Sequence, residues 1–171
     1  PGGGKVSEIN YGPRRVIKEI VIALDNREEY ESFAAIPKKD LENIARQDLI
    51  ATIITGGLWS LIKELPYRDV ARPDPIPSAI FVNIGNLEPF QPQPEIYLNG
   101  KGALFEYGLS VLHKLGNGSV NICVDRNNRY VMSEFSNLIT HTYHGDYPAH
   151  DPGVLLYQIK KTPEENRAWY V

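Results

Sequence analysis

Cysteine is almost absent from this sequence, in which Cys123 is the only one among 171 residues. A single cysteine excludes an internal disulfide framework and any metal or iron–sulfur site that needs several thiolate ligands. Cys123 lies in an apolar stretch typical of a buried strand, where a thiol keeps its proton and stays unreactive. The sequence therefore predicts a reducing environment and no catalytic role for this thiol.

An excess of positive charge is missing as well. The chain has 18 Lys and Arg residues against 21 Asp and Glu residues, which gives a formal net charge of -3. The one short basic cluster, Arg14, Arg15 and Lys18, is balanced by Glu19. Proteins that bind a phosphate backbone usually concentrate basic residues on one face. We therefore predict no nucleic acid among the partners.

Long hydrophobic runs are also missing. The longest mostly apolar stretch, residues 49–62, is interrupted by Thr52, Thr55 and a glycine pair. It is shorter than the ~20 residues that a membrane-spanning helix needs. The sequence predicts no transmembrane helix, and its 42% hydrophobic and 23% charged residues are typical of a globular domain.

Sequence motifs for nucleotide binding and for a nucleophilic serine are not found. The chain contains no G-x-G-x-x-G, no G-x-x-x-x-G-K-[ST] and no G-x-S-x-G pattern. Gly56 and Gly57 form the one glycine pair beside a predicted helix. They are candidates for a phosphate-binding loop, but a helix stop is the favoured interpretation. No catalytic residues are predicted.

The pattern that is present favours an α/β domain. Apolar, β-prone runs alternate with helical periodicity in the order strand, helix, strand, helix, strand; the segments are 78–84, 104–115, 119–124, 132–137 and 138–142. This order is the signature of a parallel sheet with crossover helices. We expect that domain to cover residues 31–171.

Residues 1–30 are predicted to be a separate β segment. Residues 5–10 alternate apolar and polar side chains, and residues 16–24 are rich in β-branched residues. A lone two-stranded hairpin is marginal in water. We therefore expect this segment to be part of a larger β domain, and both ends of the sequence to be interior positions of a longer chain.

Two further groups of side chains are candidates for a ligand site. Three of the four histidines, His141, His144 and His150, fall together with Asp146 and Asp151. Imidazole and carboxylate groups are suitable zinc ligands, but the spacing does not fit H-E-x-x-H, so a polar ligand loop at the carboxyl end of the sheet is favoured over a metal site.

Trp59 is the other candidate, because an indole is a suitable wall for an apolar quinone pocket. Its helical spacing with Leu58 and Ile62 favours a position in the core instead.

Six stretches in a fixed order carry a family resemblance. They are residues 4–16 (GKVSEINYGPRRV), 57–60 (GLWS), 77–83 (PSAIFVN), 88–89 (EP), 108–112 (GLSVL) and 145–149 (GDYPA). On these stretches the chain resembles the A-type subunit of the bacterial sodium-translocating NADH:quinone reductase. After Ala149 it departs from the family pattern, because His150 follows where the family has glycine.

The resemblance implies a Rossmann-like α/β domain at 31–171, preceded by part of a lipoyl-like barrel-sandwich at 1–30. It implies a peripheral component on the cytoplasmic face of the bacterial inner membrane, docked on membrane subunits, with quinone as a further candidate partner. The complex as a whole uses NADH, flavins, an iron–sulfur cluster and quinone, whereas this component is expected to hold no redox cofactor of its own.

The fold is also similar to the NADH-binding flavoprotein subunit of respiratory complex I, which cradles FMN with a glycine-rich loop. The corresponding segment here, residues 55–66 (TGGLWSLIKELP), keeps only Gly56 and Gly57 and continues with the bulky Leu58 and Trp59. We therefore expect a structural and docking module. The alternative is a flavin- or NADH-binding electron-input domain.

Overall fold

The computed structural model describes residues 3–25, 30–84, 90–116 and 119–171. The chain divides into two compact units, Pro1–Ala35 and Ile36–Val171. Residues 88–89, one of the stretches that carry the family resemblance, lie outside the described residues.

The first unit is an antiparallel hairpin of β1 (Gly4–Tyr11) and β2 (Ile17–Leu24). The pairing places Val6 opposite Ile22 and Ile9 opposite Ile20, so that one face of the hairpin is apolar. Val6, Ile9 and Ile20 are exposed on that face. This pattern agrees with a segment of a larger β domain, which stays a prediction.

The second unit is built on a six-stranded sheet in the order β4-β3-β8-β5-β6-β7. Its strands are β3 (Lys63–Glu64), β4 (Asp69–Val70), β5 (Ile80–Ile84), β6 (Val120–Asp125), β7 (His141–Tyr143) and β8 (Trp169–Tyr170). Strands β8, β5, β6 and β7 are mutually parallel, whereas β3 is antiparallel to both β8 and β4.

Five helices accompany the strands in the described ranges. They are α1 (Arg46–Thr55), α2 (Pro94–Leu98), α3 (Gly102–Leu115), α4 (Arg129–Glu134) and α5 (Pro152–Ile159). None of the helices in these ranges combines the length and the apolar character needed to cross a bilayer.

The sheet is covered on both faces, which explains why β5 and β6 are nearly continuous apolar runs. Ile80, Val82 and Ile122 pack in a larger core with residues of α1, α3 and α4. Phe81 and Cys123, which alternate with them along the strands, pack on the opposite face with Leu155 and Leu156 of α5. Successive side chains of a strand point to opposite faces, so both layers are specified by the same two strands.

The predicted strand–helix–strand–helix–strand order is confirmed by the parallel pairing of β5, β6 and β7. The prediction of a parallel sheet does not extend to one side, where β3 and β4 are antiparallel. These two strands, α2 and β8 were not predicted, because two-residue strands are too short to show alternation. Strand β8 lies between β3 and β5 in the sheet.

Arg46 fixes the proline-rich connector that leads into β5. Its guanidinium donates hydrogen bonds to the backbone oxygens of Leu115 (2.9 Å), Pro73 (3.1 Å) and Pro75 (3.0 Å). The same group lies 5.8 Å from the ring centroid of Trp169. Proline carbonyls that helix or sheet cannot satisfy are thereby paired with a planar, multidentate donor.

Candidate functional site

Polar side chains gather where the parallel strands end. Because β5, β6 and β7 are parallel, their carboxyl ends lie at one edge of the sheet, where α/β folds bind ligands. Asp125, the last residue of β6, is paired with Tyr143, the last of β7. We call the residues Asn83, Asp125, Asn127, Asn128, Tyr143 and His144 the carboxyl edge.

The turn after β6 is held by its own side chains. Asp125 accepts hydrogen bonds from the backbone N–H of Asn127 at Oδ1 (2.9 Å) and from that of Asn128 at its carbonyl oxygen (2.9 Å). Asn128 then caps α4, because its Oδ1 accepts from the N–H of Val131 (3.0 Å). Asp and Asn favour such turns and caps. Asp125 and Asn128 are only 7% and 8% exposed.

A cleft of about 270 Å³ opens beside this turn. Its lining residues are Gln93, Glu95, Asp125, Asn127, Asn128 and Arg129. In the part of the chain that the structure describes, no group hydrogen-bonds to Oδ2 of Asp125 or to Nδ2 of Asn128. Two side chains that are otherwise buried therefore offer the cleft one acceptor and one donor that a ligand can engage.

A second layer of polar groups lies behind Asp125. The hydroxyl of Tyr143 donates a long hydrogen bond to Oδ1 of Asn83 (3.5 Å), and Nδ2 of Asn83 donates to the carbonyl of His150 (2.6 Å). Burial, and then the negative charge of Asp125, raise the pKa of Tyr143 far above its ordinary value. Its hydroxyl is therefore a donor at every physiological pH.

The histidines of the predicted ligand loop contact different partners. Nδ1 of His141 lies 2.9 Å from the hydroxyl of Thr140, Nδ1 of His144 lies 3.3 Å from Nδ2 of Asn127, and the ring of His150 packs 5.6 Å from that of Tyr147. Within the described ranges, no three His, Cys, Asp or Glu side chains are grouped to hold a metal ion.

Asp146 and Asp151 are also separated. Asp146 is exposed in the loop after β7, whereas Asp151 pairs with Arg68 and caps α5 through the N–H of Gly153. The loop that carries His144 and Asp146 does follow a strand parallel to β6, so its predicted position at the carboxyl end of the sheet is confirmed. Its role in ligand binding stays a prediction.

Gly56 and Gly57 end α1. Gly56 is the C-cap residue, and Gly57 has a φ of 75°, a conformation that glycine adopts without strain. The backbone N–H groups of Gly56, Gly57 and Leu58 donate to the carbonyls of Thr52, Ile54 and Ile53. The donors that a phosphate loop would present are therefore already bonded within the helix end.

Trp59 is a core residue. It is 6% exposed, its indole N–H donates to the carbonyl of Ala71 (2.7 Å), and its ring meets that of Trp169 edge to face at 5.5 Å. Trp169 is paired with Ile80, the first residue of β5. Trp59 therefore lies at the amino end of the parallel strands, and the structure does not bring it together with His144.

Exposed leucines follow the end of α1. Leu58 and Leu61 are 59% and 62% exposed, and Ile54, four residues before Leu58, is also exposed. We call Ile54, Leu58 and Leu61 the α1-end patch. Large apolar side chains grouped at a surface mark contacts with other proteins or membranes.

Cys123 is fully buried, and burial raises the pKa of its thiol to about 12. The thiolate that would be needed for nucleophilic chemistry is therefore not populated at neutral pH, as the sequence predicted.

Asp125, Asn127 and Asn128 were missed as site residues by the sequence analysis. The available signal was their position, because polar residues directly after a buried strand of a parallel sheet lie at the ligand-binding edge.

Comparison with known proteins follows the same architecture. A family model described as the NqrA second alpha/beta domain matches residues 44–171. Curated relatives include the A-type subunits of the Na(+)-translocating NADH-quinone reductases of Saccharophagus degradans (30% identical), Hahella chejuensis (29%) and Histophilus somni strain 2336 (28%). Each alignment covers all 171 residues of this chain and 38% of the relative. The chain thus spans less than half the length of these relatives.

Proposed function

This chain belongs to the family of the NqrA second alpha/beta domain, and from that membership we propose that it is a docking module of a membrane respiratory complex. The complex couples NADH oxidation by quinone to sodium export. In this proposal the chain lies on the cytoplasmic face of the bacterial inner membrane, against membrane subunits, and its α/β unit is a Rossmann-like domain that holds no redox cofactor.

The observation that carries the cofactor part of the proposal is the direction of the helix at Gly56 and Gly57. Phosphate groups bind at helix N-termini, where free N–H groups and the positive end of the helix dipole point at the anion. The glycine pair lies at the C-terminus of α1, where the dipole is negative. The segment therefore does not fit a flavin phosphate, and we derive no redox step on this chain.

The α1-end patch supports the docking part. An exposed leucine gains about 1.5–3 kcal/mol when it is fully buried against an apolar partner surface. Leu58 and Leu61 follow the glycine pair directly, in the segment where the flavoprotein relatives have their phosphate loop. We infer that this segment contacts the membrane subunits and shields the region through which quinone enters.

The test uses the full-length protein co-expressed with its membrane partners. The double variant Leu58→Asp with Leu61→Asp should abolish co-purification of the complex and its quinone reductase activity. The matched control is Leu104→Asp with Tyr157→Asp, which changes residues that are 70% and 71% exposed on α3 and α5. If the first variant assembles as well as the control, the α1-end patch is not the docking surface.

The cofactor part is tested separately, on the purified protein. Its visible absorption spectrum after gentle purification should contain no flavin band, and titration with FMN or NADH should leave the spectrum and the thermal unfolding midpoint unchanged. Stoichiometric flavin, or a midpoint that rises with either ligand, would establish the alternative, an electron-input domain.

A further inference from the structure

We propose that the cleft at the carboxyl edge binds a ribose-type sugar through two adjacent hydroxyl groups. The carrying observation is the pair of buried side chains, Asp125 and Asn128, each of which presents a polar atom to the cleft. In the described ranges neither Oδ2 of Asp125 nor Nδ2 of Asn128 has another hydrogen-bond partner. This inference goes beyond the docking proposal and does not depend on it.

The burial of these two side chains sets the strength of the argument. Polar groups of buried residues are mostly paired, because leaving one unsatisfied destabilises a protein by about 1–3 kcal/mol. Asp125 and Asn128 each use one side-chain oxygen to hold the turn and the start of α4, and those bonds orient the second atom toward the cleft. The cleft is therefore held in a fixed geometry before any ligand arrives.

The position of Asp125 favours a sugar as the ligand. In doubly wound α/β folds an acidic residue near the end of the second parallel strand accepts a hydrogen bond from a ribose hydroxyl. Asp125 is the last residue of β6, which follows β5 along the chain and pairs with it in parallel.

The chemistry of the two atoms agrees with that position. A hydroxyl group donates one hydrogen bond and accepts another. One hydroxyl of a vicinal diol donates to the carboxylate of Asp125, and its neighbour accepts from the amide of Asn128.

Size and charge exclude larger or anionic ligands. The cleft of about 270 Å³ is below the range of roughly 300–1,000 Å³ that holds drug-sized molecules, so one sugar ring fits and a dinucleotide does not. Two carboxylates, Asp125 and Glu95, line it against one cation, Arg129. The local charge therefore disfavours a phosphate and favours a neutral ligand.

The test is a titration of the ¹⁵N-labelled chain followed by NMR, with three neutral probes. Adenosine and methyl β-D-ribofuranoside should shift the amide signals of Asn127 and Asn128. Adenosine lacking both hydroxyls, 2′,3′-dideoxyadenosine, should bind at least about tenfold more weakly. Equal binding of adenosine and the riboside would assign the site to the sugar alone, and tighter binding of adenosine would add a base contact to it.

Isosteric variants make the test specific. Asp125→Asn keeps the Oδ1 acceptor that holds Asn127, and Asn128→Asp keeps the cap of α4, so both should fold. Each should weaken adenosine binding by roughly tenfold or more, whereas Asp146→Asn, at an exposed carboxylate of the loop after β7, should change it less than about twofold. Unchanged binding in Asp125→Asn, equal binding of the dideoxy probe, or no binding of any probe would overturn the proposal.

Discussion

Replacing Trp59 by phenylalanine distinguishes a core tryptophan from one that lines a ligand pocket. The indole N–H of Trp59 donates a 2.7 Å hydrogen bond to the carbonyl of Ala71, a residue that is fully buried. Phenylalanine keeps an aromatic ring against Trp169 but cannot donate, and the unsatisfied carbonyl costs about 1–3 kcal/mol. The smaller ring also leaves a void, so we expect a total loss of about 2–4 kcal/mol in the free energy of unfolding.

Urea unfolding followed by far-UV circular dichroism measures this loss as a lower midpoint with an unchanged slope. The expected loss is a large part of the roughly 5–15 kcal/mol of a typical domain, but the variant should still fold. Leu58→Ala, one residue away and exposed, should change the free energy by less than about 0.5 kcal/mol. A Trp59→Phe protein as stable as the wild type would refute the core assignment and restore the pocket interpretation.

Two more stability predictions follow from local geometry. Gly57→Ala should lower the free energy of unfolding by about 1–2 kcal/mol because the φ of Gly57 is 75°, whereas Gly56→Ala, at a φ of -71°, should leave it unchanged or slightly higher; equal effects in urea melts would contradict the helix-stop geometry. Burial opposes ionisation of Asp151, but hydrogen bonds from Arg68 and from the N–H of Gly153 outweigh it and lower the pKa of Asp151 below 3.8. A lowered pKa stabilises the fold above the unfolded-state pKa and ceases to do so as the pH falls through the folded one, so the deficit of Asp151→Asn, at most about 1 kcal/mol at pH 7, should disappear below about pH 4; a deficit independent of pH would show that the Arg68 pair does not cause it.

The parallel part of the sheet was predictable because its strands are long enough to carry a signal. Residues 80–84 and 120–125 are apolar on both faces, and helical periodicity ends at Gly116, directly before the second run. The antiparallel side gave no such signal. Lys63 and Glu64 are polar and form a two-residue strand whose partner, β8, is about a hundred residues away, so only tertiary contacts specify it.

The candidate site was harder to predict for a related reason. Proximity in sequence suggested that His141, His144 and His150 act together, yet one lies in a strand, one follows it and one is buried before α5. The residue types at 125–128 were visible in the sequence, but their burial was not. They are buried in part because α2 packs on α4, and α2 was not predicted.

The two proposals concern opposite ends of the sheet, so they can hold at the same time. The α1-end patch directly precedes and follows Trp59, which packs on Trp169 opposite the first residue of β5. Ile80 of β5 is paired with Val120, and Asp125 lies five residues farther along β6, about 16 Å at 3.3 Å per residue. A membrane partner seated on the patch therefore leaves the carboxyl-edge cleft open to a small ligand. An α/β scaffold that lacks a phosphate loop keeps its ligand-binding edge, because that edge depends on strand direction and not on the glycine pair.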